Sequence, residues 1–193
     1  DDLVTTLRQK KYIDLLTHYD GVAYLEGMAR LTANGIAVGG SDIFTDRIII
    51  ATGSLPAAPD IPGLTDVPWL TSTTALELDE QPRSLLVVGG GYIGCELAQM
   101  FARAGTEVTL VTRTRLLPEM EPETAQALAH CLADEGIRVR TELTYSRIER
   151  RDGHVELTVS ANGAVEILAA EQVLMATGRT PNTTGLGLKQ AGI

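Results

Sequence analysis

The sequence predicts an α/β fold with a parallel central sheet, because three apolar strand-like segments alternate with two helical segments. Ser84–Val88 (SLLVV) is apolar without alternation, as is usual for a strand that is covered on both faces. The helical segments Gly91–Ala104 and Glu123–Glu135 separate it from two further strands, Val108–Val111 and Ile137–Arg140. Strands that are joined by helices in this order lie parallel, and their crossovers are right-handed.

The positions of glycine, proline and apolar residues support the prediction of the two helices. Gly105 and Gly136 directly follow them, where glycine commonly ends a helix, and Pro122 stands near the start of the second. The first helix carries apolar residues at helical spacing, namely Ile93, Leu97, Met100 and Phe101. Such a stripe indicates a helix that packs one face on the sheet.

The residues before this unit predict a helix, a small antiparallel meander and a connector. Leu3–Thr17 has roughly helical apolar spacing. Three strand-like runs follow, at Val22–Leu25, Gly35–Val38 and Asp46–Ile50. Asn34-Gly35 and Gly39-Gly40 are the turn signals between them. Ala51–Pro68 holds four prolines and two glycines, so it predicts a connector and no helix. Ser72 or Thr73 is expected to cap a short helix through Glu80.

The residues after the parallel unit predict a second antiparallel meander. Its four strand-like runs are Tyr145–Glu149, His154–Ser160, Ala164–Leu168 and Gln172–Met175. Asp152-Gly153 and Asn162-Gly163 are strong hairpin signals between them. Arg179–Leu188 then predicts a loop.

Charge and composition argue against several classes of partner. The 193 residues carry a net charge of -9 and no block of Lys or Arg, which argues against nucleic acid or a membrane as the partner. The N-terminus does not look like a signal peptide, and two cysteines are too few for a disulfide scaffold, so a cytoplasmic location is expected. Cys95 and Cys131 are both expected to be packing residues. His18, His130 and His154 are scattered, so no metal site is predicted.

The glycine-rich turn Gly89-Gly90-Gly91-Tyr92-Ile93-Gly94 joins the first parallel strand to the first helix. The spacing Gly-x-Gly-x-x-Gly in this context is typical of a Rossmann-like dinucleotide site. The first glycine permits the turn, the second lets the pyrophosphate approach the backbone, and the third lets the helix pack close to the strand. The helix N-terminus then offers N–H groups to the diphosphate. The alternative is an ordinary strand–helix turn that is rich in glycine.

The end of the second parallel strand discriminates between NADH and NADPH. An acidic residue there accepts hydrogen bonds from the ribose 2′-hydroxyl of NAD. Here the strand continues as Val111-Thr112-Arg113-Thr114-Arg115, with two arginines and no carboxylate. Because a guanidinium binds phosphate through two hydrogen bonds, we predict Arg113 as the first ligand of a 2′-phosphate and Arg115 as the second. Both could instead be solvated loop residues.

Four segments resemble the pyridine nucleotide-disulfide oxidoreductases, a family of flavoenzymes. They are 48–63 (IIIATGSLPAAPDIPG), 70–76 (LTSTTAL), 85–111 (LLVVGGGYIGCELAQMFARAGTEVTLV) and 173–183 (VLMATGRTPNT). The sequences of these segments are most similar to those of mercuric reductase and of dihydrolipoamide dehydrogenase-like members. The resemblance implies that NADPH, and less so NADH, gives a hydride to FAD in the intact enzyme.

The resemblance also implies roles for single residues. Tyr92 matches a residue that lies over the flavin, and Glu96 matches a carboxylate that contacts the nicotinamide amide. Thr112 stands where NAD-using members have glutamate, and Arg113 where NADP-using members have arginine. Thr52, Gly53 and Ser54 match an element that touches FAD, and Gly178 matches a backbone contact near the nicotinamide. The alternatives are a packing role for Tyr92, a solvated acid at Glu96 and two turns that link domains.

Several family elements are missing from this sequence. They include the glycine fingerprint for FAD ahead of residue 48, the Cys-x4-Cys redox pair and the lysine that partners Glu96. A Gly-Asp element that holds FAD and a dimerisation domain would follow Ile193. No catalytic residue is therefore predicted, and the chain is expected to bind NADPH without retaining FAD or turning over. The parent enzyme is expected to be a homodimer through its C-terminal domain.

The predicted fold is thus a Rossmann-like parallel sheet with an antiparallel β-meander crossover, flanked by partial FAD-domain elements. The expected segments are a partial FAD-domain piece (1–63), the NAD(P)-binding domain (64–175) and a returning FAD-domain piece (176–193). Three alternatives stay open at this point. They are a stand-alone dinucleotide-binding or sensor module without catalysis, an NADH-using dihydrolipoamide dehydrogenase-like enzyme, and an enzyme that works with another subunit.

Overall fold

The computed structural model describes residues 2–16 and 18–193 and contains two compact units. The smaller unit consists of the residues up to Gly53 together with Asn182–Ile193, and the larger unit is Ser54–Pro181. The predicted nucleotide-binding segment, 64–175, lies within the larger unit, and its bounds stay a prediction.

The described residues form helices and strands over the following ranges. The helices are α1 (Asp2–Arg8), α2 (Asp14–Leu16), α3 (Tyr92–Arg103) and α4 (Pro122–Asp134), with a π-helical turn at Gln9–Ile13. The strands are β1 (Ala29–Thr32), β2 (Gly35–Val38), β3 (Ser41–Phe44), β4 (Ser54–Pro56), β5 (Ser84–Val88), β6 (Glu107–Val111), β7 (Arg138–Arg140), β8 (Thr144–Arg151), β9 (His154–Ala161), β10 (Ala164–Ala170), β11 (Gln172–Met175) and β12 (Arg179–Pro181). Short 3₁₀ helices lie at Leu64–Asp66, Thr74–Glu77 and Lys189–Ala191.

The smaller unit begins with helical turns and continues with the antiparallel sheet β1-β2-β3. The predicted N-terminal helix is confirmed over its described residues, while Thr17 lies outside them. None of the described residues of these turns is buried. Their apolar side chains are therefore not covered by the described part of this unit.

Two of the three predicted strands in this meander were wrong. The first strand is Ala29–Thr32 where we predicted Val22–Leu25, and the third is Ser41–Phe44 where we predicted Asp46–Ile50. The turns fix both corrections. Thr32 pairs with Gly35 across the Asn34-Gly35 turn, so β1 ends just before this turn, and β3 starts directly after Gly39-Gly40, where φ is 57° and 86°. The apolar run at 48–50 has no strand partner among the described residues, and Ile49 is 94% exposed.

The larger unit is built on a parallel sheet with strand order β11-β5-β6-β7. All three predicted strands of the first parallel unit are found, and α3 and α4 connect them. The second meander needs one correction: Gln172–Met175 does not extend it but returns as β11, parallel to β5. The antiparallel sheet β10-β9-β8 is thus a crossover into the parallel sheet, which confirms the predicted fold class.

Both faces of the parallel sheet are covered. Leu85 and Val87 belong to one buried cluster and Leu86 and Val88 to another, and all four are fully buried. The first cluster includes residues of α3 and α4, namely Leu97, Ala98, Phe101 and Leu132. The second includes residues of β8 and β9, namely Ile148, Val155, Leu157 and Val159. Each buried Leu or Val stabilises the fold by about 1.5–3 kcal/mol, so burial on both faces stabilises the sheet between helices and antiparallel strands.

The predicted connector and the predicted C-terminal loop are both more ordered than expected. Ser54–Pro56 pairs antiparallel with Arg179–Pro181, within stretches that we predicted as irregular. A proline is tolerated at the edge of such a two-stranded ribbon, and therefore the prolines did not exclude a strand.

The short helix near residue 74 also differs from its prediction. It is the 3₁₀ helix Thr74–Glu77, which ends before Glu80. The side chain that accepts hydrogen bonds at its start is that of Thr71, whose Oγ1 accepts the N–H groups of Thr73 and Thr74 at 3.2 and 3.1 Å. Thr73 is the N-cap residue, as one of the two predicted candidates, but its side chain makes no capping hydrogen bond.

Candidate functional site

A groove of about 400 Å³ lies at the carboxyl ends of β5 and β6 in the larger unit. Open α/β sheets bind ligands at this edge of the sheet. Backbone hydrogen bonds hold the strand ends at the base of this groove together. Gly89 N–H donates to Val111 O and Ala176 N–H donates to Val88 O, both at 2.8 Å. The groove is lined by Pro56, Ser72, Gly89, Gly90, Gly91, Tyr92, Ile93, Thr112, Arg113, Thr114, Pro118, Tyr145, Met175, Ala176, Thr177, Gly178 and Arg179.

Two glycines of the turn are required by close backbone contacts. A Cβ at Gly89, where φ is 123°, would overlap the carbonyl oxygen of Ala176, and a Cβ at Gly94 would overlap the carbonyl oxygen of Gly89. Gly90 faces the side chains of Leu116 and Thr112. The first and third glycines of the motif therefore set the backbone path from β5 into α3.

The glycine at position 91 has a different environment. A Cβ there would meet no atom within 4 Å, and the backbone is extended, with φ of -80°. Gly91 is the N-cap residue of α3 and no side chain caps this helix. Tyr92 and Ile93, in the first turn, also line the groove. The N–H groups of the first turn thus face an open space where an anion can bind.

The groove is electropositive in an acidic protein. Thr112 is buried, and its Oγ1 accepts the N–H of Thr114 at 3.4 Å, whereas Arg113 is exposed. Arg113 and Arg179 are the charged side chains among the described residues that line the groove, and none of those residues is Asp or Glu. The net charge of the whole chain is -9, so this local positive field favours a phosphate-bearing ligand.

Arg115 has a different position from Arg113. Its Nη2 donates to the carbonyls of Pro118 and Met120 at 2.9 and 2.7 Å, and it does not line the groove. The loop that it holds also contacts the glycine turn, because Leu117 N–H donates to Gly90 O at 2.7 Å. In this structure Arg115 therefore shapes the wall of the groove, and its predicted role as a phosphate ligand stays a prediction.

Comparison with known proteins assigns the family. The pyridine nucleotide-disulphide oxidoreductase family matches residues 3–193. The chain belongs to this family. The resemblance that we inferred from the four segments is thereby confirmed.

Individual relatives in this family are longer than the chain. It is 44% identical to the mercuric reductase of Staphylococcus aureus, with 100% of this chain and 36% of the relative covered. It is 37% identical to dihydrolipoyl dehydrogenase 3 of Pseudomonas aeruginosa, with 100% and 45% covered. Among solved structures it is similar to the HOCl-induced flavoprotein disulfide reductase RclA from Escherichia coli. The TM-score is 0.87 and the identity is 33%, with 100% of this chain and 44% of that chain covered. The chain thus spans less than half the length of these proteins.

The residues that the family resemblance implied occupy several places. Gly178, with φ of 126°, lines the groove and its carbonyl accepts Ala57 N–H at 3.0 Å. Ser54 Oγ accepts the Nε of Arg179 at 2.7 Å, in the larger unit. Thr52 and Gly53 belong to the smaller unit, where the Gly53 carbonyl accepts the N–H of Asn182 at 2.9 Å and Thr52 O accepts its side-chain amide at 3.3 Å.

Glu96 is not among the residues that line the main groove. It is exposed and, with Tyr92, Cys95 and Gln99, lines a smaller pocket of about 150 Å³. Tyr92 lines both cavities and is 56% exposed. These two side chains therefore stand on the exposed surface of the first turns of α3.

The two cysteines differ from each other. Cys95 is buried as expected, and its thiol donates to the Gly90 carbonyl at 3.7 Å. Burial, with a smaller contribution from the nearby Glu96 carboxylate, raises the pKa of Cys95 to about 11. Cys131 is exposed, so the expectation that it packs in the core was wrong. It lies on the outer side of α4, and a free cysteine on an amphipathic helix carries no sequence signal for its face.

Sequence reasoning missed nine of the residues that line the groove, among them Arg179 and Tyr145. Arg179 directly follows Gly178 in the ATGR segment, and its position next to a predicted site glycine could have indicated it. Tyr145 is far from the glycine turn in the sequence and carried no such signal. Within the described residues there is no group of three or more His, Cys, Asp or Glu that could hold a metal ion. No helix in the described part is long and apolar enough to cross a membrane.

Substitution of Gly94 tests the close contact between α3 and β5. Gly94→Ala is expected to lower the free energy of unfolding by about 1–3 kcal/mol, because the backbone carbonyl of Gly89 cannot move aside cheaply. Chemical denaturation measures this loss. Gly91→Ala is the matched control and is expected to leave stability nearly unchanged, since its Cβ enters open space. Equal stability of Gly94→Ala and the wild type would contradict the contact.

Thiol alkylation tests the burial of Cys95. Iodoacetamide at pH 8 is expected to modify Cys131 in the native protein and to spare Cys95, because the thiolate is the reactive form and Cys95 remains a thiol well above this pH. Peptide mapping by mass spectrometry identifies the modified residue, and Cys131→Ser serves as the control. Modification of native Cys95 at the same rate as Cys131 would show that the burial is wrong.

Proposed function

We propose that this chain is the NADPH-binding part of an FAD-dependent pyridine nucleotide-disulfide oxidoreductase of the mercuric reductase-like kind. In the intact enzyme the residues of the groove would hold NADPH, which would supply a hydride for reduction of FAD. The observation that carries the proposal is the combination of an uncapped helix N-terminus and Arg113 in one groove, without a carboxylate among the described lining residues. Family membership and the relatives named mercuric reductase support the class of enzyme.

The pyrophosphate fits the start of α3. Gly91 leaves open space, the N–H groups of the first turn face it, and the helix dipole adds positive potential. A residue with a side chain at position 91 would fill the volume that the phosphates require. The turn formed by Gly89, Gly90 and Gly94 holds this space open from behind.

The 2′-phosphate of NADPH fits the end of β6. Thr112 occupies the position at which a carboxylate would select the free ribose hydroxyl of NADH, and it is buried and neutral. Arg113, the next residue, presents an exposed guanidinium that can bind a phosphate with two parallel hydrogen bonds. Arg115 is the second candidate ligand, although two of its hydrogen bonds go to backbone carbonyls.

The flavin end of the site involves residues that the family resemblance names. Tyr92, Glu96 and Gly178 are proposed to contact the nicotinamide and the flavin, and Thr52, Gly53 and Ser54 to contact FAD. The bound cofactors supply the hydride chemistry, whereas these residues bind and orient them. The chain alone is proposed not to retain FAD. A cytoplasmic location and a homodimeric parent enzyme are parts of the same proposal.

Charge reversal at Arg113 tests the preference for NADPH. Arg113→Glu is expected to weaken NADPH binding by about tenfold or more, because a charge-assisted hydrogen bond contributes about 1.5–3 kcal/mol, while NADH binding changes little. Calorimetric titration with both nucleotides measures this difference. The matched control is Arg147→Glu, whose arginine pairs with Glu149 outside the groove. Equal affinities of the wild type for NADPH and NADH would contradict the assignment.

Substitution of Gly91 tests the pyrophosphate site. Gly91→Ala is expected to keep the wild-type unfolding free energy and to weaken NADPH and NADH binding to the same extent, because both nucleotides share the pyrophosphate. Calorimetry gives the two affinities and a denaturation curve gives the stability. Unchanged affinities in a folded Gly91→Ala protein would place the pyrophosphate elsewhere.

A further inference from the structure

Tyr145 is the aromatic partner of Arg113. The guanidinium carbon of Arg113 lies 5.8 Å from the centroid of the Tyr145 ring, which is within the range of cation–π attraction. Both side chains line the groove. Arg113 is exposed, whereas Tyr145 is half-buried, so the protein surrounds the ring more than it surrounds the guanidinium.

Backbone hydrogen bonds hold the two residues near each other. The N–H groups of Leu143 and Glu142 donate to the carbonyls of Thr112 and Thr114, both at 3.2 Å, so the bonds flank Arg113 on either side. Glu142 adopts a φ of 57°, in the left-handed region that a residue with a side chain rarely adopts. This turn leads the chain directly into β8, whose second residue is Tyr145.

The strand itself is irregular at this point. Tyr145 pairs with Val159 and Arg147 pairs with Thr158, so Ser146 is an extra residue between two registers. Such a bulge changes the direction of the neighbouring side chains, and bulges are frequent beside functional sites. Tyr145 also packs against the buried cluster that contains Ile148 and Val159. The buried cluster thus anchors the ring, and Arg113 lies over the face of the ring.

The phenol remains neutral over the whole physiological range. Burial raises the pKa of Tyr145 to about 12, although the nearby Arg113 acts in the opposite direction. Tyr145 therefore does not contribute a charge that could attract or repel a phosphate. Its effect on a bound nucleotide must come from its ring and from what the ring does to Arg113.

We propose that Tyr145 is a positioning residue that determines nucleotide specificity, because its ring holds the Arg113 guanidinium in the groove where the 2′-phosphate binds. The proposal rests on the proposed function. An exposed arginine loses side-chain freedom when it binds a phosphate, and a ring that already orients the guanidinium reduces this loss. NADH lacks the 2′-phosphate, so removal of the ring should change NADPH binding and leave NADH binding nearly constant.

A double-mutant cycle on Arg113 and Tyr145 tests this role. Calorimetry with NADPH and with NADH is carried out on the wild type, Tyr145→Ala, Tyr145→Phe, Arg113→Ala and the double variant. Tyr145→Ala is expected to weaken NADPH binding by about three- to tenfold, the range of a partly exposed cation–π contact, and NADH binding by less than about twofold. Tyr145→Phe should keep the wild-type ratio of the two affinities. In the Arg113→Ala background, loss of the ring should not change this ratio further.

Three results would overturn the proposal. They are an equal loss of NADPH and NADH affinity in Tyr145→Ala, a Tyr145→Phe variant with the phenotype of Tyr145→Ala, or fully additive effects in the double variant. Should Tyr145→Ala not fold, Tyr145→Leu keeps apolar volume without an aromatic face and is expected to give the same selective loss. A wild type that binds neither nucleotide would instead refute the proposed function itself. The two failures are therefore distinguishable in one set of titrations.

Discussion

The close approach of α3 to the end of β5 is the constraint on which the rest of the site depends. It requires glycine at position 94, because any Cβ would overlap the Gly89 carbonyl, and glycine at position 89, where the chain passes Ala176. With α3 in this position, its uncapped first turn faces the groove at the end of the parallel sheet. Leu117 and Cys95 then contact the Gly90 carbonyl from behind and hold the turn against the helix.

The charge of the groove follows from the same geometry. A parallel sheet brings the residues that follow β5, β6 and β11 to one edge, so the glycine turn, Arg113 and Gly178 meet although they are distant in the sequence. The antiparallel crossover adds Tyr145 from the other layer. An acidic protein thus presents a small positive surface that suits a phosphorylated nucleotide, and we propose that its nucleotide specificity depends on Arg113 and its neighbours.

Local signals predicted the parallel unit, whereas features that depend on distant partners escaped prediction. Ser84–Val88 and the glycine turn carry their own signals, an uninterrupted apolar run and a spacing with a steric reason. The apolar run at 48–50 looked equally strand-like, but a strand also needs a partner, and the turn at Gly39-Gly40 gave that partner to Ser41–Phe44. Tyr145 reached the groove through a bulge and a left-handed turn, neither of which has a sequence signature here.

The central claim is that a dinucleotide binds with its pyrophosphate on the first turn of α3 and its 2′-phosphate at Arg113. Backbone amide NMR of the ¹⁵N-labelled chain during titration with NADPH tests it most directly. The account predicts saturable shifts in the amides of Gly89–Gly94 and of Thr112–Thr114, and with NADH the same shifts at the glycine turn but smaller ones beside Arg113. Saturable shifts that spare the glycine turn, or the same shifts beside Arg113 with both nucleotides, would contradict it.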